Sequence, residues 1–166
     1  MAIIKTKKGE EILVDDGDYE WLSKFTWHIN FAGYARRSPR VDGKRTTIFM
    51  HREIMNTPSR HDTDHINGIR TDNRRCNLRV CTRSENMSNR GASLNNKTGF
   101  KGVSKNSRVE TFQAQITANG ERIYLGSFRT PEEAHRFYIS ASLKYHGAFS
   151  PYATGSAGGV NVLGND

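Results

Sequence analysis

The chain has 166 residues, of which 35% are hydrophobic, and a formal net charge of +8. So low an apolar fraction excludes one large core and favours several small modules, and without a signal peptide or a membrane-spanning apolar run we expect an intracellular, cytoplasmic protein. The positive charge indicates a polyanionic partner, although a basic surface of solvated arginines accounts for the composition equally well. The two cysteines, Cys76 and Cys81, are too few for a four-cysteine zinc site, and no disulfide is expected.

Residues 1–49 have the pattern of a small β-rich region. "EEILVDD" alternates weakly, "DYEWLSKF" predicts a short helix, and hairpins are predicted across Ala32-Gly33 and Asp42-Gly43. Because apolar neighbours surround them, four aromatic side chains are expected in the core rather than on a base-stacking surface: Trp21, Phe25, Trp27 and Phe31.

Residues 50–90 contain the side chains that could form a catalytic site. A strand ends at His65, Asn67-Gly68 opens a polar loop, and "LRVC" is a second strand. Thr82 to Glu85 has the T-x-x-E pattern of a capping box, so a helix should begin near Arg83. A two-stranded ribbon packed on that helix could bring four side chains to one point: Asp64, His65, Asn77 and Asn86.

These four side chains include a base, hard oxygen ligands and an orienting amide, which are the parts needed to hydrolyse a phosphodiester. His65 is the candidate general base, the alternative being a histidine that only satisfies a backbone group. Asp64 and Asn86 are candidate ligands of Mg²⁺ or Mn²⁺, although Asn86 could equally be an ordinary polar residue of a helical first turn. Adjacent side chains on a regular strand point to opposite faces, so Asp64 and His65 converge only if the ribbon is irregular there.

The loop and its flanks supply supporting residues. Asn77 is expected to bridge the loop and hold the backbone of His65, with a simple turn asparagine as the alternative, and Asp72 and Asn73 are expected to be loop formers. His61 is a secondary candidate for the base. The arginines around the site can bind phosphates bidentately, and contact with the DNA backbone is predicted for at least three of Arg70, Arg74, Arg75, Arg79, Arg83 and Arg90.

Residues 91–98 read as a linker, residues 99–149 as a separate domain and residues 150–166 as a flexible, Gly-rich tail. "TFQAQITA" and "RIYLGSF" alternate on either side of the hairpin turn Asn119-Gly120. Thr130-Pro131 begins a helix and Gly147 ends it. The pattern predicts three strands and a helix, with five side chains turned towards that helix: Phe112, Ala114, Ile116, Ile123 and Leu125.

The segment "DHINGIRTDNRRCNLRVCTRSENMSNR", with "HREIM" upstream, resembles the HNH motif of the ββα-metal endonucleases, especially the homing-type and phage branch. The resemblance covers residues 50–90. It implies an endonuclease that uses one Mg²⁺ or Mn²⁺ ion per active site and cuts or nicks double-stranded DNA, leaving 5′-phosphate and 3′-hydroxyl ends. Position by position, the resemblance implies that His65 and Asn77 are catalytic residues and that Asp64 and Asn86 are metal ligands. His51 and Arg52 match the upstream "HR" and are candidate phosphate contacts, with a structural role as the alternative.

Residues 99–149 resemble the APETALA2-type DNA-binding domain, which also occurs fused to HNH nucleases. The shared marks are "GF.GV", the alternating strand, "LG.F.T.EEA...Y" and the closing "K..G". The resemblance implies a sheet that lies in the major groove of DNA. The residues placed to contact DNA are Lys101, Lys105, Arg108, Gln113, Gln115, Thr117, Arg122 and Tyr124. Because this chain lacks the family's arginines and tryptophans at Ser104, Thr117 and Tyr124, its base preference is expected to differ.

Together these patterns predict an α+β protein. It comprises a small β-rich N-terminal region (1–49), a ββα-metal HNH module (50–90), a linker, and a three-stranded antiparallel sheet plus one helix (99–149). The predicted function is that of a Mg²⁺-dependent HNH DNA endonuclease. The resemblance favours a phage-encoded protein, which would then act in the host cytoplasm. Four arginines are predicted to contact the DNA backbone: Arg74, Arg75, Arg79 and Arg83. A monomer is expected. The alternatives are a catalytically silent DNA-binding regulator on the same scaffold and a structure-specific nickase.

Overall fold

The computed structural model describes residues 1–93 and 95–153, so the predicted tail beyond residue 153 lies outside the described residues. The chain divides into two compact units, Met1–Asn86 and a second that begins at Met87. Within the described ranges there are four α-helices and several small antiparallel sheets. The expectation of an α+β protein is therefore confirmed.

The first unit opens with a hairpin of β1 (Ala2–Lys5) and β2 (Glu11–Val14), followed by α1 (Asp16–Leu22). The next strands are β3 (His28–Ile29), β4 (Ala35–Arg37), β5 (Arg40–Val41), β6 (Lys44–Arg45) and β7 (Ile48–Phe49). β3, β4 and β7 form a three-stranded sheet, and β5 pairs with β6. The turn between β5 and β6 has positive φ at Asp42 (50°) and Gly43 (75°), as expected for the tight turn that the Asp-Gly pair predicts.

The rest of this unit holds α2 (Met50–Ile54), β8 (Asp62–His65) and β9 (Leu78–Cys81), and α3 (Arg83–Asn89) starts within it. β8 and β9 pair antiparallel. The capping box is present, because the backbone N–H of Thr82 donates to Glu85 Oε2 at 2.7 Å and that of Glu85 to Thr82 Oγ1 at 3.3 Å. These reciprocal bonds explain why the helix begins at Arg83.

One core serves both the N-terminal strands and the segment with the candidate site. Its buried members are Ile4, Ile12, Val14, Leu22, Trp27, Ala35, Met50, Ile54 and Leu78. Backbone bonds add to this core, since Leu13 donates its N–H to Thr71 O at 2.9 Å and accepts from the N–H of Asn73 at 2.8 Å. The hairpin of β1 and β2 therefore holds the polar loop between β8 and β9 in place.

The aromatic residues of the N-terminal region do not all enter the core. Trp27 is buried as predicted, but Phe25 is 38% exposed and Phe31 is fully exposed, so the expectation of a core role is wrong for these two. Phe31 lies in the tight turn between β3 and β4, where Gly33 donates its N–H to Asn30 O at 2.8 Å. A tight turn projects beyond the sheet, so no second layer covers the ring.

The second unit contains β10 (Val103–Asn106), β11 (Thr111–Ala118), β12 (Glu121–Phe128) and α4 (Pro131–His146). The strands form an antiparallel sheet in chain order, with an irregularity between Ala114 and Gln115. Buried side chains of the sheet pack with those of the helix in two clusters: Val103, Ala114 and Ala134, and Ile116, Tyr138 and Ala141.

The ends of α4 have the predicted chemistry. Thr130 Oγ1 accepts from the N–H of Glu133 at 3.2 Å, Pro131 opens the helix, and Gly147 ends it with φ of 50°. Beyond the helix, the ring of Tyr152 lies 6.2 Å from that of Tyr138. None of the helices in residues 1–93 and 95–153 combines the length and the apolar character that a membrane crossing requires.

Gly102 is the glycine of this unit that packing requires most strictly. Its φ is +74°, and a Cβ there would lie 2.0 Å from Cδ2 of Tyr138 and 2.8 Å from the carbonyl oxygen of Gln115. We expect Gly102→Ala to lower the free energy of unfolding by roughly 3 kcal/mol, the sum of overpacking and left-handed strain. Urea unfolding followed by circular dichroism measures this loss.

Gly99→Ala is the matched control, because Gly99 has φ of +76° and no atom within 4 Å of its hypothetical Cβ. Its free energy of unfolding should fall only by the left-handed backbone strain of an alanine, about 1 kcal/mol. Equal losses for the two variants would show that the contact with Tyr138 does not limit this position.

Candidate active site

The β8–β9 ribbon positions the candidate residues, and it is regular. Asp62 pairs with Cys81, Asp64 with Arg79 and His65 with Leu78. Side chains alternate along a strand, so Asp62 and Asp64 share one face and His65 points from the other. The ribbon therefore lacks the irregularity that would turn Asp64 and His65 to the same face.

The face with Asp64 is acidic and meets the first turn of α3. Asp64 Oδ2 accepts from Nε and Nη2 of Arg79 at 2.8 and 2.6 Å, with both side chains largely buried. Asn86 Nδ2 donates to Asp62 Oδ2 at 2.8 Å, and Arg83 Nη1 lies 3.7 Å from the same carboxylate oxygen. Asn86 thus reaches the strand that carries Asp64, but its direct partner is Asp62.

The donor chemistry of this face fits a divalent cation such as Mg²⁺ or Mn²⁺. The carboxylates of Asp62 and Asp64 and the amide oxygen of Asn86 are hard ligands. Within residues 1–93 and 95–153 no group of three or more His, Cys, Asp or Glu side chains could hold a metal. Asp62 was missed from the sequence, although the D-x-D spacing on a strand was the available signal.

His65 lies on the opposite face of the ribbon and is only 4% exposed. Its Nε2 is 3.4 Å from Asn73 Oδ1, and its ring centroid lies 5.1 Å from that of His51 and 5.9 Å from that of Tyr34. Burial lowers the pKa of His65, while the contact with Asn73 and the charge of Asp64 act in the other direction. The imidazole is therefore neutral at neutral pH, which is the form that a general base requires.

Asn77 braces the loop that follows His65. Its Oδ1 accepts from the N–H of Asn67 at 2.9 Å, its Nδ2 donates to Asp72 O at 2.8 Å, and its own carbonyl accepts from the N–H of Ile66 at 2.8 Å. The two residues directly after His65 are thus both held by Asn77. Asn73, which is fully buried against His65, was missed as a site residue because nothing local distinguishes it from a turn asparagine.

Three of the predicted DNA-contacting arginines hold carboxylates. Arg74 bonds Asp72 through Nε at 2.7 Å and Nη2 at 2.6 Å, and Arg75 bonds Asp18 through Nε and Nη2, both at 2.8 Å. The third is Arg79, which bonds the carboxylate of Asp64. Arg74 lowers the pKa of Asp72, as Arg75 does for Asp18. The side chain of Arg83 is 81% exposed.

Of the upstream pair, His51 is buried and Arg52 is partly exposed. Arg52 donates to the carbonyl oxygens of His61 at 2.7 Å and Pro58 at 3.2 Å, so it ties α2 to the loop before β8. His51 is 7% exposed, and its Nδ1 has no hydrogen-bond partner among the described residues. The contacts of Arg52 fit a structural role, and the phosphate contact predicted for this pair stays a prediction.

His51 should make stability depend on pH. Burial lowers its pKa from 6.5 to about 3, helped by His65 and Arg52 and opposed by Asp62. Between these two values the unfolded chain binds the proton and the folded chain does not. The free energy of unfolding should therefore fall as the pH drops from 6.5 towards 3, by at most about 1.4 kcal/mol per pH unit.

The variant His51→Gln isolates this contribution. We expect it to be less stable than the wild type at pH 7, and the difference should shrink as urea unfolding is repeated at pH 6, 5 and 4. Parallel stability curves for the two proteins would contradict a neutral, buried His51.

In the second unit, the predicted DNA-binding residues separate into two groups. The register pairs Gln115 with Tyr124 and Thr117 with Arg122, on the face opposite the buried Ala114 and Ile116, and Gln113 shares that face. The basic residues of β10 and of the turns beside it do not belong to this group. Lys105 is opposite Phe112, Arg108 is exposed in the turn, and Lys101 Nζ donates to Ser88 O at 2.6 Å and to Arg90 O. Burial lowers the pKa of Lys101 to about 8.

Comparison with known proteins links this region to one family. Residues 56–88 match the family model described as HNH endonuclease, and this segment contains β8, the polar loop, β9 and most of α3. The chain is also similar to an uncharacterised HNH endonuclease of Acanthamoeba polyphaga mimivirus, with 26% identity over 149 residues that cover 86% of this chain and 74% of the relative. No solved structure matches the chain significantly.

Proposed function

We propose that the protein is a divalent-metal-dependent HNH endonuclease that hydrolyses phosphodiester bonds in double-stranded DNA. The observation that carries the proposal is the ribbon of β8 and β9 followed by α3, in the segment that matches the HNH endonuclease family. Asp64, His65, Asn77 and Asn86 all lie within those residues.

In an in-line displacement the attacking water and the departing 3′-oxygen lie on opposite sides of one phosphorus atom. Because Asp64 and His65 leave the regular ribbon on opposite faces, one phosphate would reach both only at the end of β8, where His65 is the last residue. His65, neutral at neutral pH, takes the proton of the attacking water. Asp64 and Asn86, with Asp62 beside them, would hold one Mg²⁺ or Mn²⁺ ion, which when bound supplies charge stabilisation to the leaving oxygen.

The remaining residues position this chemistry. Asn77 fixes the two residues after His65, and Arg83 presents an exposed guanidinium to the DNA backbone beside Asp62. The outward face of the β10–β12 sheet, with Gln113, Gln115 and Thr117, binds duplex DNA in the manner of an APETALA2-type domain. Phosphate contacts supply much of the affinity, so binding falls steeply with salt.

A supercoiled-plasmid assay tests the proposal. Mg²⁺ should convert the plasmid to open-circular or linear DNA, and EDTA should prevent the conversion. Open-circular product alone would identify a nickase, while linear product would require two cuts. Plasmid that stays intact with Mg²⁺ and with Mn²⁺ over a range of protein concentrations would count against a nuclease.

A second candidate is a DNA-binding protein that uses the HNH scaffold without cutting. Two observations favour it: His65 is only 4% exposed, and Arg79 occupies the carboxylate of Asp64. Such a protein would retard plasmid DNA in a gel with or without metal and leave it uncut.

A further inference from the structure

Phe31 is an aromatic side chain that the fold leaves fully in solvent. It is held in a rigid turn, because Asn30 donates its N–H to Tyr34 O at 3.0 Å, Gly33 donates to Asn30 O, and Tyr34 donates to Asn30 Oδ1 at 2.9 Å. These bonds fix the backbone that carries the ring, so a ligand that contacts Phe31 has only the side-chain torsions to order. The turn thus presents an apolar side chain on a preformed backbone.

The same turn is joined to the loop beside the candidate active site. Arg70 Nη1 donates to Ala32 O at 2.6 Å, and its guanidinium lies 4.9 Å from the centre of the Tyr34 ring. A Cβ on Gly33 would lie 3.6 Å from Arg70 Cδ, so the turn rests directly on this arginine. Tyr34 in turn packs near His65. The turn that carries Phe31 therefore lies next to Arg70 and Tyr34, and Tyr34 lies next to the candidate base.

Between the turn and the loop lies an open cleft of about 410 Å³. It is lined by Phe31, Ala32, Gly33, Gly68, Arg70 and Thr71, and the neighbouring Ile69 is 50% exposed. An aromatic ring, an aliphatic side chain and a guanidinium thus meet at one surface. Apolar side chains enter base steps and guanidinium groups bind phosphates, so this composition matches duplex DNA, as does the net charge of +8.

We propose that Phe31 is a DNA-distorting contact, which inserts at a base step beside the scissile phosphate while Arg70 binds the adjacent backbone. The location beside the cut rests on the proposed nuclease function, whereas the contact with DNA does not. Partial unstacking costs a few kcal/mol and is offset by the contacts that a bent duplex makes with the protein. The Phe31 surface would thereby bring the phosphodiester towards the largely buried His65.

The test uses the full chain with two substitutions at Phe31 and two matched controls. Tyr19, on α1 of the same unit, is 41% exposed and serves as the control aromatic residue. Phe31→Ala and Tyr19→Ala are compared for affinity to a mixed-sequence duplex oligonucleotide by fluorescence anisotropy, in EDTA so that the DNA stays intact. Phe31→Trp and Tyr19→Trp are compared for quenching of tryptophan emission by the same duplex, with the wild type as background.

We expect Phe31→Ala to bind on the order of tenfold more weakly and Tyr19→Ala to bind like the wild type. The emission of Phe31→Trp should be quenched by DNA more than that of Tyr19→Trp, and this variant should keep the wild-type affinity. Unchanged affinity of Phe31→Ala, with equal quenching at the two positions, would overturn the proposal and would leave a protein partner as the occupant of this surface.

The plasmid assay run in parallel separates this proposal from the proposed function. If the wild type cuts the plasmid and Phe31→Ala has wild-type DNA affinity, only the role of Phe31 is refuted. Absence of wild-type cutting would refute the nuclease, and the affinity and quenching results would still decide whether Phe31 contacts DNA. A wild-type protein that does not bind the duplex would overturn the proposal for Phe31.

Discussion

Replacing His65 by Ala should lower the rate of metal-dependent DNA cutting by about 10²- to 10⁴-fold while DNA affinity stays near that of the wild type. The neutral imidazole is the group proposed to take the proton from the attacking water. Single-turnover cutting of plasmid DNA measures the rate, and a gel-shift assay in EDTA measures the affinity.

The burial of His65 means that an alanine there also removes packing. The ring contacts Asn73, His51 and Tyr34, so part of any loss could come from a disturbed site. His65→Gln, which keeps a polar side chain of similar reach, is the control. It should recover the thermal stability lost in His65→Ala without recovering the cutting rate. Substantial cutting by either variant would show that the base lies elsewhere.

Substitutions at Asp64 and Arg79 should change the affinity for a divalent cation in opposite directions. Asp64→Asn removes the charge of the proposed ligand and should weaken Mn²⁺ binding by roughly ten- to a hundredfold, with a comparable loss of cutting. Arg79→Met removes a cation that bonds Asp64 at 2.6 Å, so it should strengthen Mn²⁺ binding. Titration of Mn²⁺ against the protein, followed by electron paramagnetic resonance, measures both affinities without relying on activity.

The Arg79→Met variant should also change the thermal stability of the protein. Arg79→Met should lower the melting temperature in EDTA, because it removes one partner of a largely buried ion pair, and Mn²⁺ should restore part of the loss. Asp16→Asn is a suitable control, since the side chain of Asp16 is 77% exposed and distant in sequence from the ribbon. Equal Mn²⁺ affinity for wild type and both variants would exclude Asp64 as a ligand.

Local elements were predictable because their signals lie within a few residues. The capping box of Thr82 and Glu85 marks the start of α3, and Asn119-Gly120, with φ of 52° and 82°, marks the turn between β11 and β12. The alternation of Ala114 and Ile116 with Gln113 and Gln115 likewise separates the buried from the outward face of β11. Each of these depends on backbone geometry that adjacent residues determine by themselves.

The partners of the charged side chains were not predictable. The sequence predicted DNA-backbone contact for at least three of the arginines around the site, but it did not show that Arg75 meets Asp18, 57 residues away, or that Arg79 meets Asp64 across the ribbon. An arginine side chain is long and can reach several carboxylates, so its partner depends on which acidic group the fold brings within hydrogen-bond distance. No pattern in a single sequence contains that distance.

The sequence by itself indicated the mixed α+β class, most of the strands and helices, and the chemical character of the residues around Asp64 and His65, but not the first strand, Ala2–Lys5. The tertiary structure decided the environment of those residues. Tyr34 and His51 come from β-rich and helical segments well before the ribbon, and their packing buries His65 and lowers its pKa. The turn that exposes Phe31 depends equally on Arg70, 39 residues further on, which supports it through Ala32. Burial and exposure are properties of contacts between distant segments, so only the folded chain could decide them.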